Sequence, residues 1–253
     1  MSQKIFAIGD VHGRKDLLDD LYFTINQNSD DKFVFLGDLI DRGPQSCEVI
    51  DTVMGMMHNY SNSVFCVLGN HERLCLNACL RASIEDEILW QINGGDATKA
   101  SYPTAKVFQE HLEWMLRLPL YHKEQGFFFS HAPVPRESFR DPHMKGKEYS
   151  EQELTWTYNR DEFGVAKDFK DGTVGVCGHI HMLHRGVMAP RFYPHYIYAD
   201  SGCGCSSNAP LVAVEVTTRE TYWAWPEGVD EETRNRIEKQ TYIVAKRSLG
   251  ESA

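Results

Sequence analysis

The chain has 253 residues, 42% of them hydrophobic and 25% charged, with 36 acidic against 26 basic side chains and a formal net charge of −10. Those proportions fit a soluble globular protein long enough for one large core, and the acidic balance argues against a surface built to grip nucleic acid, which rests on Lys and Arg. No run approaches the roughly 20 apolar residues of a membrane span, so no membrane partner is expected. The N-terminus passes into a strand-like run without a secretory pattern, which predicts a cytoplasmic location. Seven cysteines (Cys47, Cys66, Cys75, Cys79, Cys177, Cys203 and Cys205) with no CxxC pair predict reduced thiols.

In chain order, Ile5 to Ile8 reads as a buried strand and leads into GDVHGR at Gly9. Leu17, Leu18, Leu21, Tyr22 and Ile25 form a helical stripe between Lys15 and Asn26. A second apolar run, Phe33 to Leu36, leads into GDLIDRGP at Gly37, and Pro44 suits the first turn of a helix running toward His58. A third run, Val64 to Leu68, leads into GNHE at Gly69, and Asn70 to Ala82 reads as a helix. The first part of the chain is therefore a series of strand–helix units.

Residues 84–118 are mostly helical in pattern, broken by NGGD at Asn93, and are expected to cap the mouth of the site and help select the substrate. Phe127 to Phe129 and Val174 to Cys177 are two further strands, and 132–170 should form loops overhanging the site. Tyr196–Ala199, Leu211–Val216 and Thr221–Trp225 read as strands of a second sheet. One domain is expected over 1–228, with 84–118 inserted in it and 229–253 a charged tail forming a surface helix with a frayed end. The architecture predicted is α/β, two packed sheets flanked by helices.

The chemistry lies at the ends of these strands. Asp10 and His12 stand two residues apart, and residues two apart in extended backbone face one side and can converge on one ion. Asp38 follows the second strand, and its two oxygens can serve two ions at once. Asn70, His131 and His179 follow the third, fourth and fifth strands. Five strands ending in metal-type ligands place those ligands at one sheet edge, outside the carboxyl ends, where α/β folds bind. The pattern suits a hydrolase that attacks phosphorus with a metal-activated hydroxide between two cations. Arg42, four residues beyond Asp38, presents a fork matched to phosphate oxygens. His71, beside Asn70, is placed as a general acid with Asp41 as its orienter. Arg160 is a second candidate phosphate clamp. His184, His143 and His195 read as ordinary surface or loop residues.

GDVHGR, GDLIDRGP and GNHE resemble the signature blocks of the phosphoprotein phosphatase branch of the calcineurin-like metallophosphoesterases. INGGDATKASY, FFFSHAP, WTYNRD, GVCGHI and YADSG resemble its compact bacterial and phage members, lambda phage phosphatase among them. The likeness runs from about Ile5 to about Glu215. It implies the same α/β sandwich of two mixed sheets, one metal held by Asp10, His12 and Asp38, and a second held by Asp38, Asn70, His131 and His179. It also implies phosphate contacts by Arg42 and Arg160, with His71 as acid and Asp41 as its partner. The chain departs from the branch at GHIH, where His181 is spaced like a further metal-binding histidine of the wider superfamily, and at Arg14, which offers a cation near the mouth.

The expected activity is hydrolysis of phosphomonoesters, phosphoserine or phosphothreonine in proteins and also phosphotyrosine. A phosphorylated small molecule is the other expected partner. Carboxylate and imidazole ligands suit Mn²⁺, Fe or Zn²⁺, and Mn²⁺ is the expected activating ion. The alternatives are symmetrical diadenosine tetraphosphate hydrolysis, a phosphodiesterase or nuclease of the same superfamily, and a scaffold that has lost its ligands. Nothing in the sequence fixes an oligomeric state.

Overall fold

The apolar run after Lys4 becomes β1 (Ile5–Ile8), whose four residues are all buried. The computed structural model describes residues 3–25, 30–81, 83–135, 149–156, 169 and 171–251. In it β1 pairs in parallel with β2 (Lys32–Phe35), Phe6 opposite Phe33 and Ala7 opposite Val34, and β2 pairs in parallel with β3 (Val64–Cys66).

Side chains alternate across a strand, and here both faces are covered. Phe6, Ile8, Phe33 and Phe35 point into a helical layer with Leu17, Leu21, Val49, Ile50 and Leu74. Ile5, Ala7, Val34 and Leu36 point the other way, against Phe129, Val176 and Ile197 of the second sheet. Each fully buried aromatic or branched side chain contributes about 1.5–3 kcal/mol. Truncating Leu36 to Ala would open the inter-sheet layer at a cost of about 2–5 kcal/mol.

The helical layer follows the predicted pattern: α1 (Lys15–Thr24) buries Leu17, Leu18 and Leu21, α2 (Ser46–Asn59) starts two residues after Pro44, and α3 (Asn70–Arg81) starts at the asparagine of GNHE. Residues 84–118 form α4 (Ile84–Ile92), α5 (Gly95–Ser101) and α6 (Ala105–Met115). Side chains of Ser83 and Thr104 cap α4 and α6 by accepting the amides of Asp86 and Val107. Gly94, at φ 105, makes the break between α4 and α5.

The second sheet holds β4 (Tyr121–Glu124), β5 (Phe127–Ser130), β6 (Val174–Cys177), β7 (Arg191–Tyr193) and β8 (Tyr196–Tyr198), in the order β4-β5-β6-β8-β7. Strand β5 is parallel to β6, and β6 to β8. A short helix, α7 (Glu151–Thr155), with a Ser150–Glu153 capping box, interrupts the predicted loop region.

One expectation needs correction. Leu211–Glu215 and Thr221–Ala224, here β9 and β10, do not join the second sheet; β9 pairs antiparallel with β1 and extends the first sheet, giving the order β10-β9-β1-β2-β3. The cause is double-sided burial: Leu211 and Ala213 enter the helical layer while Val212 and Val214 enter the inter-sheet layer, so β9 covers what would be an exposed edge of β1. The charged C-terminal stretch holds α8 (Glu231–Ser248), which buries Thr241 and Ala245, with Ala245 in the inter-sheet cluster. These two lie four residues apart on one helical face. Among the described residues no helix is long and apolar enough to cross a membrane.

Candidate metal centre

The carboxyl ends of β1, β2, β3, β5 and β6 converge, and the loops that leave them carry Asp10 and His12, Asp38, Asn70, His131 and His179. His12, Asp38, Asp41, Arg42 and His179 all sit at positive φ, between 46° and 71°. Such backbone costs on the order of 1–3 kcal/mol per residue and persists only where the surroundings fix it. The fixing contacts are visible. Amides of Val11 and His12 donate to Asp38 O at 3.0 and 2.9 Å, and Gly13 N donates to Leu39 O at 2.8 Å.

Glu72 supplies the rest of that frame. Its buried carboxylate accepts four amides, from Asp38 (2.9 Å), Leu39 (2.7 Å), Ile40 (3.3 Å) and Gly69 (3.0 Å). Gly69 must be glycine, because a Cβ there would strike the Asp38 backbone amide and carboxylate and the Glu72 carboxylate.

Asp38 lies between two ligand groups. Its Oδ2 faces His12 Nε2 at 3.7 Å and His71 Nε2 at 3.9 Å, while Oδ1 faces His131 Nε2 at 3.4 Å and accepts the His71 amide at 2.9 Å. Ligand atoms of His12, Asp38 and His71 form one cluster within 4.8 Å, and those of Asp38, His131 and His179 form a second. The shared member is the predicted bridge.

The imidazoles are oriented for ligation. His12 Nδ1 lies 2.8 Å from Ile40 O, which turns Nε2 inward. His131 faces two acceptor oxygens, Leu36 O from Nδ1 and Asn70 Oδ1 from Nε2, both at 2.7 Å. A neutral imidazole has one N–H, so with Asn70 turned to present Oδ1 rather than its NH₂, one nitrogen lone pair is set against an oxygen. Burial holds His131 well below its usual pKa, assisted by His179, so a second proton is not the remedy. With Nδ1–H donating to Leu36 O, Nε2 and Asn70 Oδ1 are two neutral donor atoms that would suit a shared cation.

The electrostatics agree. Burial depresses His12 well below its normal range and brings His179 down to about 3, with His71 next in each case. Both are neutral at pH 7, as ligation requires. Burial pushes Asp10 well above the carboxylate range, with Asp200 and Asp38 adding to it, and raises Asp38 likewise, with Glu72 adding to it. Divalent cations reverse that logic by supplying the charge that buried carboxylates lack. The donor set therefore fits two divalent ions. Asp10 stands at the margin: it accepts the His179 amide at 3.1 Å but belongs to neither cluster.

Beside the clusters, His71 Nδ1 lies 2.7 Å from Asp41 Oδ2, the predicted pairing. Burial lowers the His71 pKa, and the Asp41 contact pulls it back up. The Arg42 fork spans two rings, Nη1 at 2.6 Å from His12 Nε2 and Nη2 at 3.0 Å from His71 Nε2, and Nη1 also reaches Cys205 Sγ.

Other expectations fare differently. His181 joins neither cluster, and its Nδ1 accepts the Leu183 amide at 3.4 Å. Arg14 is tied to Asp16 through Nε and Nη2 at 2.8 and 2.6 Å. Arg160 and His143 lie outside the described residues. Sequence reasoning gave no role to Glu72, Trp90, Thr98 or Asp200. Asp200 is buried, presses electrostatically on Asp10, and accepts the Gly202 amide at 2.7 Å. Glu72 was within reach, since a glutamate in the first turn of a helix that starts at a ligand has few roles besides capping or ligation.

Residues 3–188 match the family described as calcineurin-like phosphoesterase. The chain is 37% identical over 82 residues to the serine/threonine-protein phosphatase rdgC of Drosophila melanogaster, covering 31% of this chain and 12% of that one. It is 32% identical over 133 residues to the symmetrical bis(5'-nucleosyl)-tetraphosphatase of Methylococcus capsulatus, covering 52% of this chain and 43% of that one. The matched stretches thus span less than half of either relative. A serine/threonine phosphatase of Saccharomyces cerevisiae with similarity to human PP5 shares the fold, with a TM-score of 0.61 and 18% identity over 90% of this chain and 81% of that one.

Proposed function

The chain belongs to the calcineurin-like phosphoesterase family, and from that premise we propose that this phosphoester hydrolase is a serine/threonine protein phosphatase that also accepts phosphotyrosine. The observation that carries this reading is the His71–Asp41 pair at 2.7 Å, set beside Arg42 and the shared Asp38. A serine or threonine alkoxide is a poor leaving group and needs a proton as the P–O bond breaks. A nucleotide leaving through a phosphate oxygen needs far less help. The likeness of the later blocks to the lambda phage type points the same way.

In this reading Asp10, His12 and Asp38 hold one divalent ion, and Asp38, Asn70, His131 and His179 hold the other. Mn²⁺ is the ion proposed, with Fe or Zn²⁺ suited to the same donors. Bound there, the pair activates water and neutralises phosphoryl charge. Arg42 orients the phosphoryl oxygens, its planar fork matching two of them. Asp41 accepts a hydrogen bond from Nδ1–H and fixes the ring, so that the Nε2–H of protonated His71 is aimed at the leaving oxygen. After transfer, neutral His71 regains a proton from solvent. The seven free cysteines support a reducing compartment, the cytoplasm, as the place of action.

A second reading, symmetrical diadenosine tetraphosphate hydrolysis, is favoured by the Methylococcus relative, which matches over 52% of this chain. Turnover of the Mn²⁺-loaded protein on phosphoserine, phosphothreonine and phosphotyrosine peptides beside diadenosine tetraphosphate, with Asp38→Asn as control, separates the two. Higher kcat/KM on the peptides is the expected result. Higher efficiency on the dinucleotide overturns the protein-phosphatase reading.

A further inference from the structure

Residues 84–118 are expected to cap the mouth of the site and help select the substrate, and within them the inner face of 84–101 touches the proposed acid pair. Trp90 is buried, and its Nε1–H donates to both Asp41 oxygens, Oδ1 at 3.0 Å and Oδ2 at 3.1 Å. The Thr98 hydroxyl donates to Asp41 Oδ1 at 2.6 Å and accepts the Asp41 amide at 2.8 Å, and Ser46 Oγ lies 3.1 Å from both the Asp41 amide and Thr98 Oγ1. With His71 on Oδ2, every described polar contact of the Asp41 carboxylate comes from a donor.

The same segment braces the next residue. The Arg42 amide donates to Gly94 O at 3.3 Å, and a Cβ on Gly94 would lie 2.8 Å from that amide nitrogen and 3.0 Å from Arg42 Cγ. A Cβ on Gly95 would strike the Trp90 indole at 2.6–2.7 Å. The two glycines thus let one turn lie flat against Trp90 on one side and Arg42 on the other. Asp41 and Arg42 are consecutive non-glycine residues at φ 71° and 69°, a conformation that needs external support.

We propose that Trp90 and Thr98 are positioning residues for proton donation: they lock the Asp41 carboxylate so that it holds His71 toward the leaving oxygen. The inference rests on the phosphomonoesterase reading. A locked carboxylate loses no orientation entropy when it stabilises the imidazolium, whereas a loose one rotates away or takes up water. A proton donor matters most when the leaving group is poor, so the role has a kinetic signature.

The test compares Trp90→Phe and Thr98→Val with wild type on a phosphoserine peptide, a poor leaving group, and on p-nitrophenyl phosphate, a good one. The expected result is a kcat loss of roughly 10-fold or more on the peptide, under about 3-fold on the aryl ester, and unchanged KM. Thr98→Ser, which keeps the hydroxyl, restores the peptide rate. In an Asp41→Asn background, Trp90→Phe adds less than about 2-fold, because coupled residues are non-additive. Equal losses on both esters, or full additivity with Asp41→Asn, overturn the proposal in favour of a purely structural role.

A second readout needs no substrate. In the zinc-loaded protein the His71 Nδ1–H proton resonance, assigned by its disappearance in Asp41→Asn, should move in both Trp90→Phe and Thr98→Val. An unmoved resonance overturns the proposal even if Trp90→Phe folds poorly, since Thr98→Val removes one hydroxyl and keeps the volume. If wild type hydrolyses neither ester, the phosphomonoesterase reading fails and the resonance alone decides the positioning role.

Discussion

Glu72 accepts the amide of Asp38 at 2.9 Å, with the carboxylate of one buried acid holding the backbone of another in a left-handed turn at φ 51°. Three more amides converge on the same group, so Glu72 acts as the keel of the β2 loop. Glu72→Gln replaces one acceptor oxygen with an NH₂ that faces N–H donors. A loss of about 3 kcal/mol in unfolding free energy is expected, from buried donors left without partners. Metal affinity should fall with it, since Asp38 loses its fixed direction. Urea unfolding and metal titration check this; wild-type values in both would leave Glu72 a bystander.

Glu72 also gives a pH signature. Burial lifts its carboxyl from 4.5 to about 7. Between those values the folded chain holds a proton that the unfolded chain has released. The resulting stabilisation is fully present below about pH 4.5 and is lost as pH rises through about 7. In metal-free protein, the stability of wild type relative to Glu72→Gln should therefore decline across that window, by up to about 3 kcal/mol. Urea titrations in half-unit steps from about pH 4.5 to about 7.5 measure it, and a flat difference contradicts the assignment.

The split of Asp38 between its two neighbours predicts coupled metal loss. Because Oδ2 faces His12 and Oδ1 faces His131, an amide at this position weakens both clusters together. Asp38→Asn should bind at most one tight metal where wild type binds two. Turnover should fall more than about 100-fold, beyond the 10–100-fold typical of residues that only orient ligands. Elemental analysis after desalting gives the stoichiometry, and two retained metals would show that Asp38 does not bridge.

Much of this site is legible in the sequence because its ligands follow short apolar runs. Phe6 and Phe35 sit in short apolar runs that read as buried strands, which puts Asp10 and Asp38 at strand ends. Pairing across the sheets is less visible. Nothing local to Leu211–Glu215 says that it lies beside β1 rather than β8, because double-sided burial reads the same in either sheet. The contacts of Asp41 with Trp90 and Thr98 span 49 and 57 residues, and a tryptophan at helical spacing reads as core until its N–H is seen on a carboxylate. The C-terminal stretch is legible as a surface helix, but the face it buries is not: the buried positions are Thr241 and Ala245, while the more apolar Tyr242 and Val244 are exposed.

Gly69 offers a test of how tightly the bridge is packed. A methyl group there meets the Asp38 backbone and side chain and the Glu72 carboxylate, and backbone atoms cannot rotate aside. Gly69→Ala should cost about 3 kcal/mol by overpacking and should lower metal stoichiometry. Gly55→Ala, with open space around its Cβ inside α2, is the control and should be neutral or stabilising. Thermal unfolding of the two variants checks the pair, and equal midpoints would refute the close approach.

His71 is the residue whose two readings diverge most. Its Nε2 stands 3.9 Å from Asp38 Oδ2 and its ring packs edge-on to His12 at a centroid distance of 4.6 Å, so it is placed where a ligand could stand. Its Nδ1, however, lies 2.7 Å from the Asp41 carboxylate, which stabilises an imidazolium, whereas the Nδ1 of His12 faces only a backbone carbonyl, Ile40 O. An imidazolium has no lone pair for a metal, so a ring backed by a carboxylate suits proton donation better than ligation. His71→Asn should therefore keep wild-type metal content and lose about 100-fold to 10,000-fold in turnover on a phosphoserine peptide. Its loss on p-nitrophenyl phosphate should be smaller, because a nitrophenolate departs without a proton. Metal loss in this variant would make His71 a ligand, and equal losses on the two esters would remove it from proton donation.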